Sequence, residues 1–357
     1  MKLSQHRILT THVGSLPRSE EVFKLVFAKE AGEKIDMNHY DQVIADAVQS
    51  VVRKQTDVGV DVVSDGEQSK ISYATYIKHR LNGFDGDSPR RTPKDLEEYP
   101  AFSKRASSSG GVPTYSRPQC VGPITVKDLK PLEVDLQNFK DALSASESTD
   151  AFMNAASPGV IAQFQPNQHY PDHSSYLYAL ADAMKVEYEG IAEAGLVIQI
   201  DSPDLALGRH VLFKDQSDEE FVTMAELHIE ALNHALQNIP AEQLRLHVCW
   251  GNYQGPHHCD IEMKKILPAV LKAKPMALSF EGANPRHSHE WSVFRDAKIP
   301  ENKVLIPGVL DSTTNFVEHP ELVAERICRF ADIVGRERVI AGSDCGFSTF
   351  AGFGTVD

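Results

Sequence analysis

The run LRLHVCW at 244–250 has the length and aliphatic character of a buried strand, and Gly251 marks its end. His247 and Cys249 lie two residues apart, so a strand projects both from one face. A strand that only packs needs neither an imidazole nor a thiol there. Seven other runs share its Val, Ile and Leu character: ILTTHVG at 8–14, VDVVSDGE at 60–67, AFMNAAS at 151–157, LVIQIDS at 196–202, MALSFEG at 276–282, VLIPGVLD at 304–311 and RVIAGSDC at 338–345. Stretches with a helical pattern lie between them, among them 40–58, 174–194, 219–237 and 320–334. Alternating strands and helices predict an α/β fold with a parallel sheet, and eight such units close a (β/α)8 TIM barrel. A doubly wound open sheet is disfavoured, because no Gly-rich dinucleotide fingerprint follows the first strand.

Residues 1–357 read as a single barrel domain with one interruption. The segment 85–125, rich in Pro, Ser and charge, is expected to be an insertion after the second βα unit, with QCVGPIT at 119–125 as a further strand candidate. The run FGTVD ends the sequence soon after the last strand, where a closing helix is expected and no pattern for one is found. A net charge of −14 argues against nucleic acid or an anionic membrane as partner, since both reward basic patches. No run approaches the length of a membrane span, and the N-terminus lacks the apolar core of a signal peptide. Five scattered cysteines (Cys120, Cys249, Cys259, Cys328 and Cys345) fit a reducing cytoplasm better than a disulfide framework.

Polar residues gather at the C-terminal ends of the strand candidates: Ser15, Asp65, Glu67, Asp201, His247, Cys249, Glu281, Asp311, Asp344 and Cys345. In a barrel these ends surround one mouth, where such folds carry active sites. Solvation of strand ends accounts for the carboxylates but not for two cysteines. Imidazole, thiolate and carboxylate are the protein ligands of Zn2+, so His247, Cys249, Glu281 and Cys345 form the candidate zinc set. Two thiolates and a carboxylate carry one more negative charge than Zn2+ neutralises. Such a metal is a poor Lewis acid for hydrolysis, but it can ionise an incoming thiol below its ordinary pKa of about 8.5 and leave the sulfur nucleophilic. Glu281, the hardest donor in a soft set, is the ligand expected to yield its place. The predicted chemistry is alkylation of a thiol.

The same residues carry a family resemblance. TTHVGSLPR, SDGEQSK, IQIDSPDL, HVCWGN, SFEGANPR and SDCGFSTF, in that order along the chain, resemble the strand-end motifs of the catalytic barrel of cobalamin-independent methionine synthase. That superfamily also holds uroporphyrinogen decarboxylase. The resemblance implies zinc on His247, Cys249, Glu281 and Cys345. It implies that Gly14 and Ser15 hold the carboxylate of homocysteine, with Glu67 and Asp201 on its ammonium group and acting as the catalytic carboxylates. A small thiol of the homocysteine type and an alkyl donor (methyl-folate, methylcobalamin or another) are the implied partners.

The chain departs from the family after its seventh strand, where GVLDSTTNF places Ser312 in the position of a histidine general acid. Phe164, in GVIAQFQPN, stands in for the family's pterin-stacking tryptophan. The rival readings are an epoxide-opening enzyme of the epoxyalkane:coenzyme M transferase type, a metal-free lyase or decarboxylase of the superfamily, and a non-catalytic zinc- or thiol-binding barrel. His12 is expected either to line the pocket or to satisfy a core contact. His257, His258 and Cys259 are expected to stay off the metal, because neighbouring side chains entering a helix diverge. His169 and His173 flank a helix start near the mouth. Cys120 and Cys328 are read as structural.

Overall fold

The structure, a computed structural model, describes residues 1–109, 116–349 and 351. Ten strands are present among them. They are β1 (Leu9–Thr10), β2 (Val62–Val63), β3 (Leu81–Asp85), β4 (Gln119–Val126), β5 (Asp150–Ala156), β6 (Val197–Asp201), β7 (Leu244–Val248), β8 (Ala277–Phe280), β9 (Val304–Leu310) and β10 (Ile340–Ser343). Eight form one sheet in the order β1-β10-β9-β8-β7-β6-β5-β2, with every pair parallel. The two outer strands meet: the Asp61 N–H donates to the Thr10 carbonyl at 3.1 Å and the Thr11 hydroxyl to the Val62 carbonyl at 3.0 Å. The sheet thus curls into an eight-stranded α/β barrel, and each strand run read from the sequence contributes one stave.

Strand alternation sets what lies inside. Leu244, Leu246 and Val248 of β7 pack outward with the helices, as do Ile198 and Ile200 of β6 and Leu278 and Phe280 of β8. The opposite face of β6 carries Val197, Gln199 and Asp201; that of β7 carries Arg245, His247 and then Cys249. At the N-terminal end the interior is apolar, filled by Leu9, Ala277, Val304, Ile306 and Ile340 beside Val62, Phe152 and Val197. One layer up, Arg245 lies over the Phe152 ring at 4.0 Å and donates to Thr11 Oγ1 and the His12 carbonyl. The register pairs Asp201 with His247 and His247 with Ser279, which brings the polar ends of neighbouring strands to one level. An apolar plug therefore supports a polar mouth.

The insertion begins within the second unit, not after it: β3 and β4 form an antiparallel hairpin between β2 and the helix Lys130–Ser144 that leads back to β5. Gly83 is required there, because a side chain would meet the Gly122 and Pro123 carbonyls at 2.8 Å. The expected extra strand is β4. Beyond β3, the short helix Lys94–Glu98 is fastened to the loop after β7, where Asp95 accepts from the Tyr253 hydroxyl at 2.7 Å and the His257 N–H at 2.9 Å. The insertion consequently roofs the mouth. The segment 352–357, where a closing helix was expected, lies outside the described residues. Among the described residues no helix is long and apolar enough to cross a membrane.

Candidate functional site

Three of the four expected zinc ligands come together. Cys249 and Cys345 Sγ are 3.7 Å apart and Cys345 Sγ is 3.8 Å from His247 Nε2, all three side chains being buried. Their candidate ligand atoms lie within 4.8 Å of one another. Burial, helped by the Arg245 charge, lowers the His247 pKa to about 3, so its ring is neutral and able to coordinate. The contact with Cys345, then burial and the nearby negative groups push the Cys249 thiol well above its ordinary range. Two buried thiols and an imidazole in contact, with no cation, disfavour the thiolate; a divalent cation among them reverses that. The donor set fits zinc.

Glu281 stands beside this cluster with both oxygens engaged. Oε1 accepts from the Trp250 N–H at 2.9 Å, and Oε2 from Asn284 Nδ2 at 2.8 Å and Arg286 Nη2 at 2.7 Å. The turn that carries it is clamped by Asp344, which accepts from the backbone N–H groups of Gly282, Ala283 and Asn284. Asp344 is thus a scaffold for the β8 end. Sequence reasoning missed Arg286 and Asn284, which follow Glu281 by five and three residues in the same motif.

Ser15, Glu67, Asn154 and Asp201 line the same cavity of about 290 Å3 as the two thiols and His247. Glu67 holds a left-handed backbone, φ 54°, after Gly66 at φ 66°. That strained turn, at a non-glycine residue, aims a carboxylate inward. Glu67 Oε1 is buried without a hydrogen-bond partner among the described residues, with Lys70 Nζ 3.9 Å away. Burial raises the Glu67 pKa to about 7, with the Asp201 carboxylate adding and Lys70 opposing. Asp201 is likewise raised by burial, although it accepts from Asn154 Nδ2 at 2.9 Å and Gln199 Nε2 at 2.8 Å. Asn154, a buried amide in the middle of an apolar strand, was the overlooked signal; it lines the cavity, and its Oδ1 has no partner among the described residues.

Two expectations need correction. The Gly14 N–H, expected on a substrate carboxylate, donates to His12 Nδ1 at 3.1 Å. Gly14 acts instead through its lack of a side chain: at φ 131° a Cβ would lie 2.1 Å from Asn154 Oδ1. His12 does not line the cavity. It accepts that N–H on one side, meets Gln55 Oε1 at 2.7 Å on the other, and burial lowers its pKa to about 4. Phe164 does line the cavity, edge-on to Tyr73 at 5.8 Å.

Ser312 donates to Asn252 Oδ1 at 3.0 Å, so the family's histidine position serves the loop after β7. His257 binds Asp260 and the Tyr253 carbonyl, away from the cysteine pair. His258 meets Glu98 at 2.7 Å. His173 pairs with His228 at 2.8 Å, and His169 is exposed; neither lines the cavity. Cys120 is buried as expected, whereas Cys328 lies on the surface.

Barrels of this kind build active sites from the ends of many strands, and this mouth is built so. The chain belongs to the cobalamin-independent synthase catalytic-domain family, whose model matches residues 8–89 and 159–356. It is 27% identical over 342 residues to the methionine synthase of Saccharolobus solfataricus, covering 94% of this chain and 87% of the relative. To that of Sulfolobus acidocaldarius it is 24% identical over 338 residues, covering 94% and 85%. The fold matches a B12-independent methionine synthase from a Shewanella species in complex with selenomethionine, with a TM-score of 0.69, 19% identity and 96% and 92% of the two chains covered. A putative vitamin-B12 independent methionine synthase from Listeria monocytogenes matches with a TM-score of 0.63 at 20% identity, covering 96% and 93%.

Proposed function

We propose that this protein is a zinc-dependent methyltransferase that alkylates the sulfur of homocysteine to give methionine. The observation that carries the reading is that one cavity is lined by two thiols and an imidazole together with two carboxylates, Glu67 and Asp201. The name methionine synthase borne by the relatives supports it. Zinc held by His247, Cys249 and Cys345 supplies the positive charge that keeps a coordinated thiol ionised at neutral pH. Glu281, tied to Arg286, Asn284 and the Trp250 amide, leaves the substrate sulfur room beside the three-residue cluster.

The protein's own residues do the positioning. Glu67 and Asp201 receive the substrate ammonium; Asn154 orients Asp201 and offers its own Oδ1, and Ser15 borders the same space. The ordered carboxylates hold the amino acid while the buried walls exclude water. A sulfonated thiol such as coenzyme M would set its anion against these carboxylates, which disfavours the epoxide-opening rival. The five free cysteines support a cytoplasmic setting.

The test is a mass-spectrometric assay for methionine, with zinc-loaded protein, homocysteine or coenzyme M as acceptor, and methyl-folate, methylcobalamin or a small epoxide as donor. Alkylated homocysteine is the expected product. Alkylation of coenzyme M alone, or full turnover after rigorous chelation, contradicts the proposal.

A further inference from the structure

We infer that a second small-molecule site lies among the helices outside the barrel, that it takes an amino acid with an extended apolar side chain, and that its occupancy is felt at Glu67 through Lys70. The coupling rests on the reading of Glu67 as the group that receives the substrate ammonium; the site itself does not. A cavity of about 480 Å3, larger than the one at the mouth, opens among the helices Glu20–Glu30, Met37–Asp57 and Lys130–Ser144. Its floor is buried: Tyr40, Lys70, Tyr76 and Arg80 line it and none is more than 4% exposed. Among the described residues the two cavities have no lining residue in common.

Charges of both signs line this cavity without neutralising one another. Lys29 Nζ lies over the Tyr40 ring at 4.0 Å, and neither it nor Lys130 Nζ has an ion pair or hydrogen bond among the described residues. The same holds for the Asp41 carboxylate. The inner charges, by contrast, are satisfied: Arg80 pairs with Asp135 at 2.5 Å and with Glu187 at 2.9 Å. Val26, Ile44, Ile71 and Val134 line the same space. A ligand with an anion and a cation on an apolar body matches free lysines, a free aspartate and this lining, whereas a singly charged one leaves one sign unmet. An α-amino acid with a long apolar side chain is that ligand class, and the proposed product, methionine, belongs to it.

Lys70 joins the two cavities. It lines the second and not the first, yet its Nζ donates to the Asn154 carbonyl at 2.7 Å and lies 3.9 Å from Glu67 Oε1. The same Nζ sits over the Tyr76 ring at 4.5 Å, in the floor of the second cavity. Its charge favours the ionised form of Glu67 and opposes the effect of burial. A ligand carboxylate taken up beside Lys70 competes for that charge and leaves Glu67 less able to hold an ammonium group. By linkage, homocysteine at the mouth loosens the second site by the same factor.

Calorimetric titration of the full, zinc-loaded chain tests this with norleucine, hexanoate and pentylamine, which share an apolar chain and differ in charge. Val134→Trp, at a residue 39% exposed, fills the second cavity and should leave kcat and the homocysteine KM unchanged. Norleucine is expected to show a binding component that Val134→Trp removes. Lys29→Glu should weaken that component by about tenfold, with Lys29→Arg retaining it, and the two singly charged probes should bind there about tenfold more weakly than norleucine. Norleucine should also raise the homocysteine KM by about fivefold more in the unsubstituted protein than in Val134→Trp, and Lys70→Met should keep the binding but lose that difference. Norleucine binding indifferent to Val134→Trp and Lys29→Glu, equal binding of hexanoate or pentylamine, or a KM raised equally in both proteins overturns the inference. Norleucine binding at this site in a protein that turns over no homocysteine overturns the thiol reading and leaves the site standing.

Discussion

Two groups in this molecule offer similar ligand chemistry at similar spacing. One is His247, Cys249 and Cys345; the other is Glu98, His258 and Cys259, whose ligand atoms also lie within 4.8 Å of one another. The first is buried at the barrel mouth, its members drawn from two strand ends far apart in sequence. In the second, Glu98 and His258 are exposed and satisfy each other through a hydrogen bond at 2.7 Å, with Tyr99 edge-on to the imidazole. Exposed pairs of that kind contribute little and need no further partner. The buried thiols have no such resolution: among the described residues their hydrogen-bond contacts are with each other, His247 and the Gly251 N–H. Donor type and distance are thus necessary for a metal centre, and what separates the two groups is desolvation without internal compensation.

The contrast is broken most severely at Cys345. Cys345→Ser is expected to abolish zinc binding and turnover, exceeding the roughly 10–100-fold loss typical of removing a group that only supports a ligand. Metal analysis and the methionine assay read both. Arg286→Met should raise the KM for homocysteine by about tenfold, since it strips the charge that holds Glu281 out of the place left for the substrate sulfur, with Arg286→Lys recovering part. Glu67→Gln should raise the KM for homocysteine by about tenfold through loss of one charge-assisted contact, with kcat less affected.

The Glu67 carboxyl also gives a pH signature. Its folded pKa of about 7 lies above its ordinary value of 4.5, so the folded state holds that proton more tightly than the unfolded state. The associated stability is present below pH 4.5 and lost as pH rises through about 7. Glu67→Gln should therefore raise Tm at pH 8 and much less at pH 5. In the unsubstituted protein, kcat/KM should fall as pH drops below about 7 and Glu67 loses its charge. The smallest effect belongs to the exposed group: Cys259→Ser and His258→Ala should leave zinc content and turnover unchanged and stability within about 0.5 kcal/mol.

The barrel was legible because parallel strands buried on both sides read as short aliphatic runs, and all eight runs became staves. The metal candidates were legible because two cysteines at strand ends contradict simple solvation. Gly14 was misjudged: whether a backbone N–H faces a ligand or a neighbouring imidazole depends on the path of the chain, and His12 two residues earlier turned back to claim it. Asn154 hid inside an apolar run, and its importance shows only when β5 lies beside β6 and Asp201.

The central claim is that one zinc ion sits on the buried triad and gains the substrate's sulfur. Zinc-edge X-ray absorption of the loaded protein, with and without homocysteine, tests it directly. Two sulfur ligands from Cys249 and Cys345 should become three when homocysteine is added. A single sulfur ligand, as the Glu98, His258 and Cys259 group would give, or a sulfur count indifferent to homocysteine, would contradict the account.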